Sequence, residues 1–294
     1  MERGLKNLYI SCRTNQGAGV GHQFAAWASA YSLAEMYGLT FAHQPLIKTH
    51  ADWEPALQLG KGEVQFAELQ AQGHPVAWLL KFDFPEAKDL LQEAINAAAD
   101  GTVLHLQVDQ FIPWILFSDK LPTKYPKPER IAPYVPYVAV HIRRGQMMEW
   151  TPEEREGRFL PNEYFAQVIQ GIRRVVPDAN VHVFSMGKLS EFPEFGHDVH
   201  MHLGRDEDDA PLEALHALIC ADILVMSRSG FSYMAGALAD PRSVKIVHPY
   251  WMLTSDFSPN PEARCGVKPD PWIQCDINGN FNEAELTGRD DVCR

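Results

Sequence analysis

The sequence predicts an α/β protein built in two parts, on three observations. Short apolar runs rich in β-branched residues alternate with stretches whose apolar residues recur at helical spacing, the pattern of parallel strands covered by helices. Five prolines (Pro122, Pro126, Pro128, Pro133 and Pro136) fall between Lys120 and Pro136 in a stretch without apolar periodicity. Proline breaks helices and interior strands, so this stretch separates a domain over 1–125 from one over 126–294. Finally, loops of Gly, Ser and Arg follow apolar runs directly, and ligands of parallel sheets gather at the carboxyl ends of strands.

The elements follow in order. Asn7–Cys12 reads as a strand, and His22–Tyr37 as a helix stopped by Gly38, with a strand over Leu39–Ala42. Gln44–Gly73 shows only weak periodicity. Val76–Leu80 is an expected strand, Glu86–Ala99 a helix ended by Asp100-Gly101, and Thr102–Val108 a strand. In the second half Tyr137–His141 is an apolar strand. Pro161 suits the first turn of a helix to about Val176, with Phe165, Val168, Ile169, Ile172 and Val176 on one face. Val181–Ser185, Val199–Leu203, Ile223–Ser227 and Val244–His248 are expected strands. Pro211–Cys220 and Phe231–Ala239 are expected helices. No internal repeat is visible.

Composition narrows the class. The chain has 294 residues, 46% hydrophobic, 22% charged and 11% aromatic, which suits folded domains with a sizeable core. The net charge of -12 argues against a general nucleic-acid surface and leaves open a phosphorylated small ligand held by a few arginines. Met1–Lys6 is too short for a leader's apolar core, no apolar run reaches membrane-span length, and there is no Asn-x-Ser/Thr sequon. A cytoplasmic protein is expected unless a targeting segment has been trimmed away. The five cysteines (Cys12, Cys220, Cys265, Cys275 and Cys293) match no zinc spacing; the last three leave room for one bridge.

Four segments carry candidate chemistry. His141-Ile142-Arg143-Arg144-Gly145 leaves an apolar strand, where an arginine fork suits a diphosphate; the alternative is a surface pair in ordinary ion pairs. Ser227-Arg228-Ser229-Gly230-Phe231-Ser232 repeats strand, small polar loop and helix start. It offers hydroxyls and N–H groups to phosphate, or simple capping. Gly17-Ala18-Gly19-Val20-Gly21-His22-Gln23 resembles a dinucleotide fingerprint only superficially, since its spacing is broken, no acidic residue ends a second strand and a Walker lysine is absent. The loop fits better as backbone laid against a ligand.

Within the acidic run Asp206-Glu207-Asp208-Asp209, Asp206 or Asp208 would suit the N1–H and N2–H₂ edge of guanine, unless the run is a solvated loop. His197, His200 and His202 with Asp198 form a metal-like cluster, but the adjoining acidic run fits a surface, and no metal site is expected. Ser227-Arg228-Ser229-Gly230 imitates a hydrolase nucleophile elbow in part, yet Gly-x-Ser-x-Gly is missing.

Taken together, the second half resembles the superfamily of α-1,2-, α-1,6- and protein O-fucosyltransferases. His141–Gly145 resembles their His-x-Arg-Arg-Gly/Asp motif. Ser229–Ser232 resembles their Ser-Ser/Thr-Phe-Ser loop. Gly19–Gln23 resembles their Gly-x-Gly-Asn-Gln loop, with His22 in place of Asn. The order and spacing of the three fit, and the likeness spans about Asn7–Pro249.

The resemblance implies a GT-B-like fold of two Rossmann-like domains facing across a cleft, the first on the acceptor side and the second holding the donor. It implies GDP-β-L-fucose as donor, a hydroxyl of a carbohydrate acceptor, inversion, and no obligatory metal or other cofactor. Carried over by position, Arg143 or Arg144 would bind the β-phosphate, with Arg144 the first choice, and His141 would lie near the nucleotide. Ser229, Gly230, Phe231 and Ser232 would line the pyrophosphate and guanosine. Gly19, Gly21, His22 and Gln23 would reach the donor from the other domain. For the acceptor's proton, Glu149 and Glu153 in the loop after the arginines and His22 are the candidates, the glutamates having a solvated loop as their alternative. A transferase using another nucleotide sugar, or a silent nucleotide-sugar binder, are the rival readings.

Overall fold

In the computed structural model the described residues are 7–13, 19–46, 53–79, 87–107, 120–125, 136–152, 155, 158–204, 211–249 and 272–288. The chain divides into two units, Met1–Pro126 and Lys127–Arg294. Each is a parallel sheet flanked by helices, the two-domain α/β arrangement of a GT-B-like fold.

The first unit contains strands β1 (Tyr9–Arg13), β2 (Thr40–His43), β3 (Val64–Gln65), β4 (Val76–Leu79) and β5 (Val103–Gln107). Its helices are α1 (Val20–Tyr37), α2 (Trp53–Leu57), α3 (Phe66–Ala71) and α4 (Ala87–Ala97). The strand order is β3-β2-β1-β5-β4, so β1 feeds strands out on one side while β5 and β4 lie on the other. Helix α1 is buried on almost every side from Gly21 to Ala34, which explains its many alanines: a helix apolar all round is a core helix. Trp27 stacks on Tyr31, meets Phe41 edge-on and donates Nε1–H to His43 Nδ1 at 3.0 Å. Gly38 ends α1 at φ 63°, the left-handed cap that glycine adopts without strain.

The second unit contains β6 (Tyr137–His141), β7 (Asn180–Met186), β8 (Val199–Gly204), β9 (Ile223–Val225), β10 (Val244–Val247) and β11 (Ile273–Gln274). Its helices are α5 (Asn162–Val175), α6 (Pro211–Ile219), α7 (Gly230–Leu238) and α8 (Glu283–Thr287). The order is β11-β10-β9-β6-β7-β8, every neighbouring pair parallel. Valines at 138, 140, 181 and 183 point to the face on which Phe165, Val168, Ile169 and Ile172 of α5 pack, as period two in the strands and 3.6 in the helix require. Helix α6 packs on α7 and β6.

The expected strands and helices are found with ends shifted by a few residues. Pro161 caps α5 rather than standing in its first turn: it is extended at φ -67°, ψ 158°, and Asn162 opens the helix. Within Gln44–Gly73, where the sequence shows only weak periodicity, lie α2, β3 and α3, too short to display a period. β11 and α8 were likewise not foreseen in the polar tail. Cys275 is a buried free thiol and not half of a bridge, while Cys265 and Cys293 lie outside the described residues.

Candidate functional site

In the second sheet, β7 and β8 extend on one side of β6, and β9, β10 and β11 on the other. The order of strands therefore reverses between β6 and β9, although the two run parallel. Beyond the carboxyl ends of such strands, diverging loops leave the crevice in which open α/β sheets bind ligands. Both second-half motifs sit there: His141–Gly145 at the end of β6, and Ser227–Ser232 at the end of β9 leading into α7.

A buried hydrogen-bond lattice joins the two loops. Ser227 Oγ accepts the Arg143 backbone N–H at 3.1 Å. The Ser227 N–H donates to Ser232 Oγ at 3.1 Å, and Ser232 Oγ also meets His141 Nδ1 at 2.5 Å. Ser232 is fully buried, and His141 packs its ring 5.3 Å from that of Phe231. Burial, reinforced by the positive charges of Arg143 and Arg144, lowers the His141 imidazole to about 3, so it is neutral at physiological pH. Ser229 caps α7, its hydroxyl accepting the Phe231 N–H at 3.2 Å. Capping is thus the observed role of Ser229. Ser229, Gly230 and Phe231 remain half-exposed at the helix N-terminus, whose first-turn N–H groups point out of the helix.

The two arginines have different surroundings. Arg144 is 8% exposed, and its guanidinium is engaged inward. Nη1 donates to the Arg143 carbonyl at 2.7 Å; Nη2 donates to the Leu160 carbonyl at 3.0 Å and to Asn162 Oδ1 at 2.7 Å. It also lies 4.5 Å over the Phe159 ring. Burial lowers it to about 10, with Glu194 and Glu191 pulling the other way, so it stays cationic. Arg143 is half-exposed at the carboxyl edge. Gly145 then turns the chain at φ 75°, and a Cβ there would meet Met186 Sδ at 2.6 Å. The segment Gly145–Glu149 is a 3-10 turn rather than an open loop, with Glu149 exposed on it.

Other candidates fall elsewhere. Gly19 is the extended N-cap of α1, accepting the His22 and Gln23 N–H groups at 3.0 and 3.2 Å. Gly21 and Gln23 are buried in α1 and His22 is half-buried. They follow β1, where the first sheet also divides, β2 on one side and β5 on the other. Gly17, Ala18, Glu153, Asp206 and Asp208 lie outside the described residues.

His200 and His202 share a face of β8, but His182 of β7 pairs with His202, His182 Nδ1 to His202 Nε2 at 2.8 Å, and among the described residues no metal-binding group is formed. Three residues gain a place at the site beyond those carried over from the family resemblance. Ser227 is the joint between the loops. Arg228 stands beside His248, whose imidazole is lowered to about 4 by burial and then by Arg228, against Asp276. Asn162 holds Arg144; the polar residue after Leu160-Pro161 at a helix start was its one visible signal.

An arginine-bearing loop and a helix N-terminus flank the point where the sheet divides, the place where open α/β sheets bind ligands. The family model described as Glycosyl transferase family 11 matches residues 133–269, a span that contains both motifs. On that match the chain falls in the broad class of glycosyltransferases. No curated protein matches the sequence. Among solved structures, POFUT1 in complex with GDP is similar at 12% identity and TM-score 0.42, over 80% of this chain and 95% of that one. The E. coli heptosyltransferase WaaC with ADP is similar at 11% identity and TM-score 0.43, over 95% and 96%. A family 9 glycosyl transferase from Veillonella parvula is similar at 11% identity and TM-score 0.41, over 100% and 98%. Among the described residues no helix is long and apolar enough to cross a membrane.

Proposed function

We propose that the protein is an inverting glycosyltransferase that moves L-fucose from GDP-β-L-fucose to a hydroxyl of a carbohydrate acceptor. One observation carries this reading: Arg143 and the N-terminus of α7 stand at the dividing point of the second sheet, locked together through Ser227. Breaking the sugar–phosphate bond places negative charge on the departing GDP. A half-exposed guanidinium and helix N–H groups fixed beforehand stabilise that charge without reorganising. We assign the β-phosphate contact to Arg143 instead of Arg144, whose donors are turned to protein acceptors. Neutral His141, held by Ser232, shapes the wall beside the nucleotide, and Ser229, Gly230 and Phe231 form its rim.

Arginine charge, which needs no tuning, makes the reaction metal-independent in this reading. Following the family resemblance, Gly19, Gly21, His22 and Gln23 are donor-binding residues, and the first unit takes the acceptor. Asp206 or Asp208 selects guanine. Glu149 or His22 receives the acceptor's proton; a strongly dissociative transfer asks little of that base. The family match names no sugar, so a different nucleotide sugar is the second reading.

Calorimetry with GDP, UDP and ADP tests the reading, followed by turnover of GDP-fucose after exhaustive chelation. GDP is expected to bind best and turnover to survive chelation. Equal affinity for the three nucleotides removes guanine selectivity, and activity restored only by Mn²⁺ or Mg²⁺ removes the metal-free mechanism.

A further inference from the structure

We infer that Asn162 is a positioning residue that sets the arginine loop for the diphosphate, an inference that rests on the donor-site reading above. Asn162 is the first residue of α5, and its amide is used at both ends. Oδ1 accepts from Arg144 Nη2 at 2.7 Å. Nδ2 donates to the Glu191 carbonyl at 2.7 Å and to Glu194 Oε2 at 2.8 Å. Glu191 and Glu194 belong to the loop that follows β7, and Arg144 to the loop that follows β6. One amide therefore ties the start of α5 to two loops at the carboxyl edge of the sheet.

Asn162 reaches the Arg143 carbonyl through two hydrogen bonds, with the Arg144 guanidinium between them. Arg144 Nη1 holds the carbonyl of Arg143, while Ser227 holds the Arg143 N–H. The peptide groups on both sides of the Arg143 side chain are thereby fixed, one through Ser227 and the other through Arg144 and Asn162. A guanidinium carried on a fixed backbone loses less freedom when it engages a phosphate, which is how preorganisation converts into affinity and rate.

The Lys188–Glu191 turn steadies the far end of the tie. The Lys188 N–H donates to Glu191 Oε2 at 3.1 Å, and the Glu191 N–H donates to the Lys188 carbonyl at 2.9 Å. Glu194 supplies a carboxylate whose charge favours the Arg144 cation. The amide suits this place because it accepts on one side and donates on the other; a carboxylate has only the first capacity and a lysine only the second.

The test is calorimetry of the full chain with GDP and with GMP, which shares the base, ribose and α-phosphate but lacks the β-phosphate. Asn162→Ala is expected to weaken GDP about tenfold, the scale of one charge-assisted hydrogen bond, and to leave GMP within about twofold. Asn162→Asp keeps the acceptor for Arg144, so GDP affinity should stay nearer the parent value while thermal stability falls through repulsion with Glu194. A purely structural role would lower both nucleotides together and would not be rescued by Asp. An Asn162→Ala protein that binds GDP as the parent does, or loses GDP and GMP equally, overturns the inference. If Asn162→Ala does not fold, Asn162→Ser carries the same comparison. A parent protein that binds neither nucleotide overturns the donor-site reading itself, a result distinct from a lost difference between variants.

Discussion

Neighbouring strands of the second sheet carry two histidine environments that came to opposite ends. At the end of β6, His141 is held by Ser232, which is itself fixed by the Ser227 N–H, and its ring rests on Phe231. On β7 and β8, His182 stacks between rings, 4.6 Å from His200 and 5.1 Å from His202, and His182 Nε2 is buried with no hydrogen-bond partner. The second cluster is richer in chemistry-bearing residues, yet it sits along strand faces where side chains stack in register. The first lies where the sheet divides, and its polar atoms are pinned by backbone groups from two loops. Backbone geometry at the strand ends, more than local density of functional side chains, builds a site.

The sharpest way to break that contrast is to remove the side chain that the β6 loop presents. Arg143→Ala should lower GDP-fucose turnover about 100- to 1000-fold, roughly 2.7–4 kcal/mol of barrier, by analogy with loss of one well-placed oxyanion donor. Lys should rescue in part, since it restores charge but not the fork. His182→Gln should leave turnover near that of the parent. Steady-state kinetics on folded variants decides: Arg143→Ala with normal turnover, or His182→Gln with a comparable loss, would move the reaction away from the β6–β9 junction.

Arg144→Ala should act on stability first. It leaves two backbone carbonyls and the Asn162 amide without their cationic donor, a loss of about 2–3 kcal/mol on the scale of hydrogen bonds to charged groups. Urea denaturation with an unchanged m-value would report it cleanly. An unaltered midpoint would mean that Arg144 is not a brace.

Much of this arrangement was readable from the residues. The parallel strands announced themselves through apolar runs such as Tyr137–His141, and α5 through its single apolar face, because burial on defined faces writes a period into the sequence. The motif loops stood out because arginine, glycine and serine follow directly on buried strands. Which arginine turns inward was not readable. Adjacent residues leaving a strand diverge, but the direction depends on Leu160, Asn162 and Phe159, brought in from a later segment. Short α2, β3 and β11 were hidden for another reason: two to five residues are too few to display a period.

The turn after the arginines offers a smaller effect. Gly145 has φ 75°, where an L side chain is strained by about 1–2 kcal/mol, and its Cβ would press on Met186 Sδ. Gly145→Ala should therefore destabilise by about that amount, with the methionine yielding part of the contact. The same substitution at exposed Gly19, which has open space around it and no positive φ, should cost little. Equal midpoint shifts for the two variants would show that the turn stores no strain.

The smallest expected effect belongs to the histidine stack, and its sign follows from proton linkage. Burial, then the charges of His200 and His202, lowers the His182 imidazole to about 4. Its unfolded value is about 6.5, so above that pH neither state is protonated and the group contributes nothing. As pH falls from about 6.5 towards 4, the unfolded chain takes up the proton first and native stability declines. A fully shifted group would contribute up to about 1.4 kcal/mol per pH unit across that window. The ring cluster is partly exposed, and solvent screening reduces the total to roughly 1 kcal/mol by pH 5. His182→Gln removes this proton uptake, so the variant should lose less stability than the parent between about pH 7 and 5. His141, lowered to about 3 by deeper burial, keeps contributing an acid loss in both proteins, and only the difference between their slopes isolates the stack. Denaturation midpoints that run parallel for the two proteins across that range would show that the His182 imidazole titrates alike in the folded and unfolded chains.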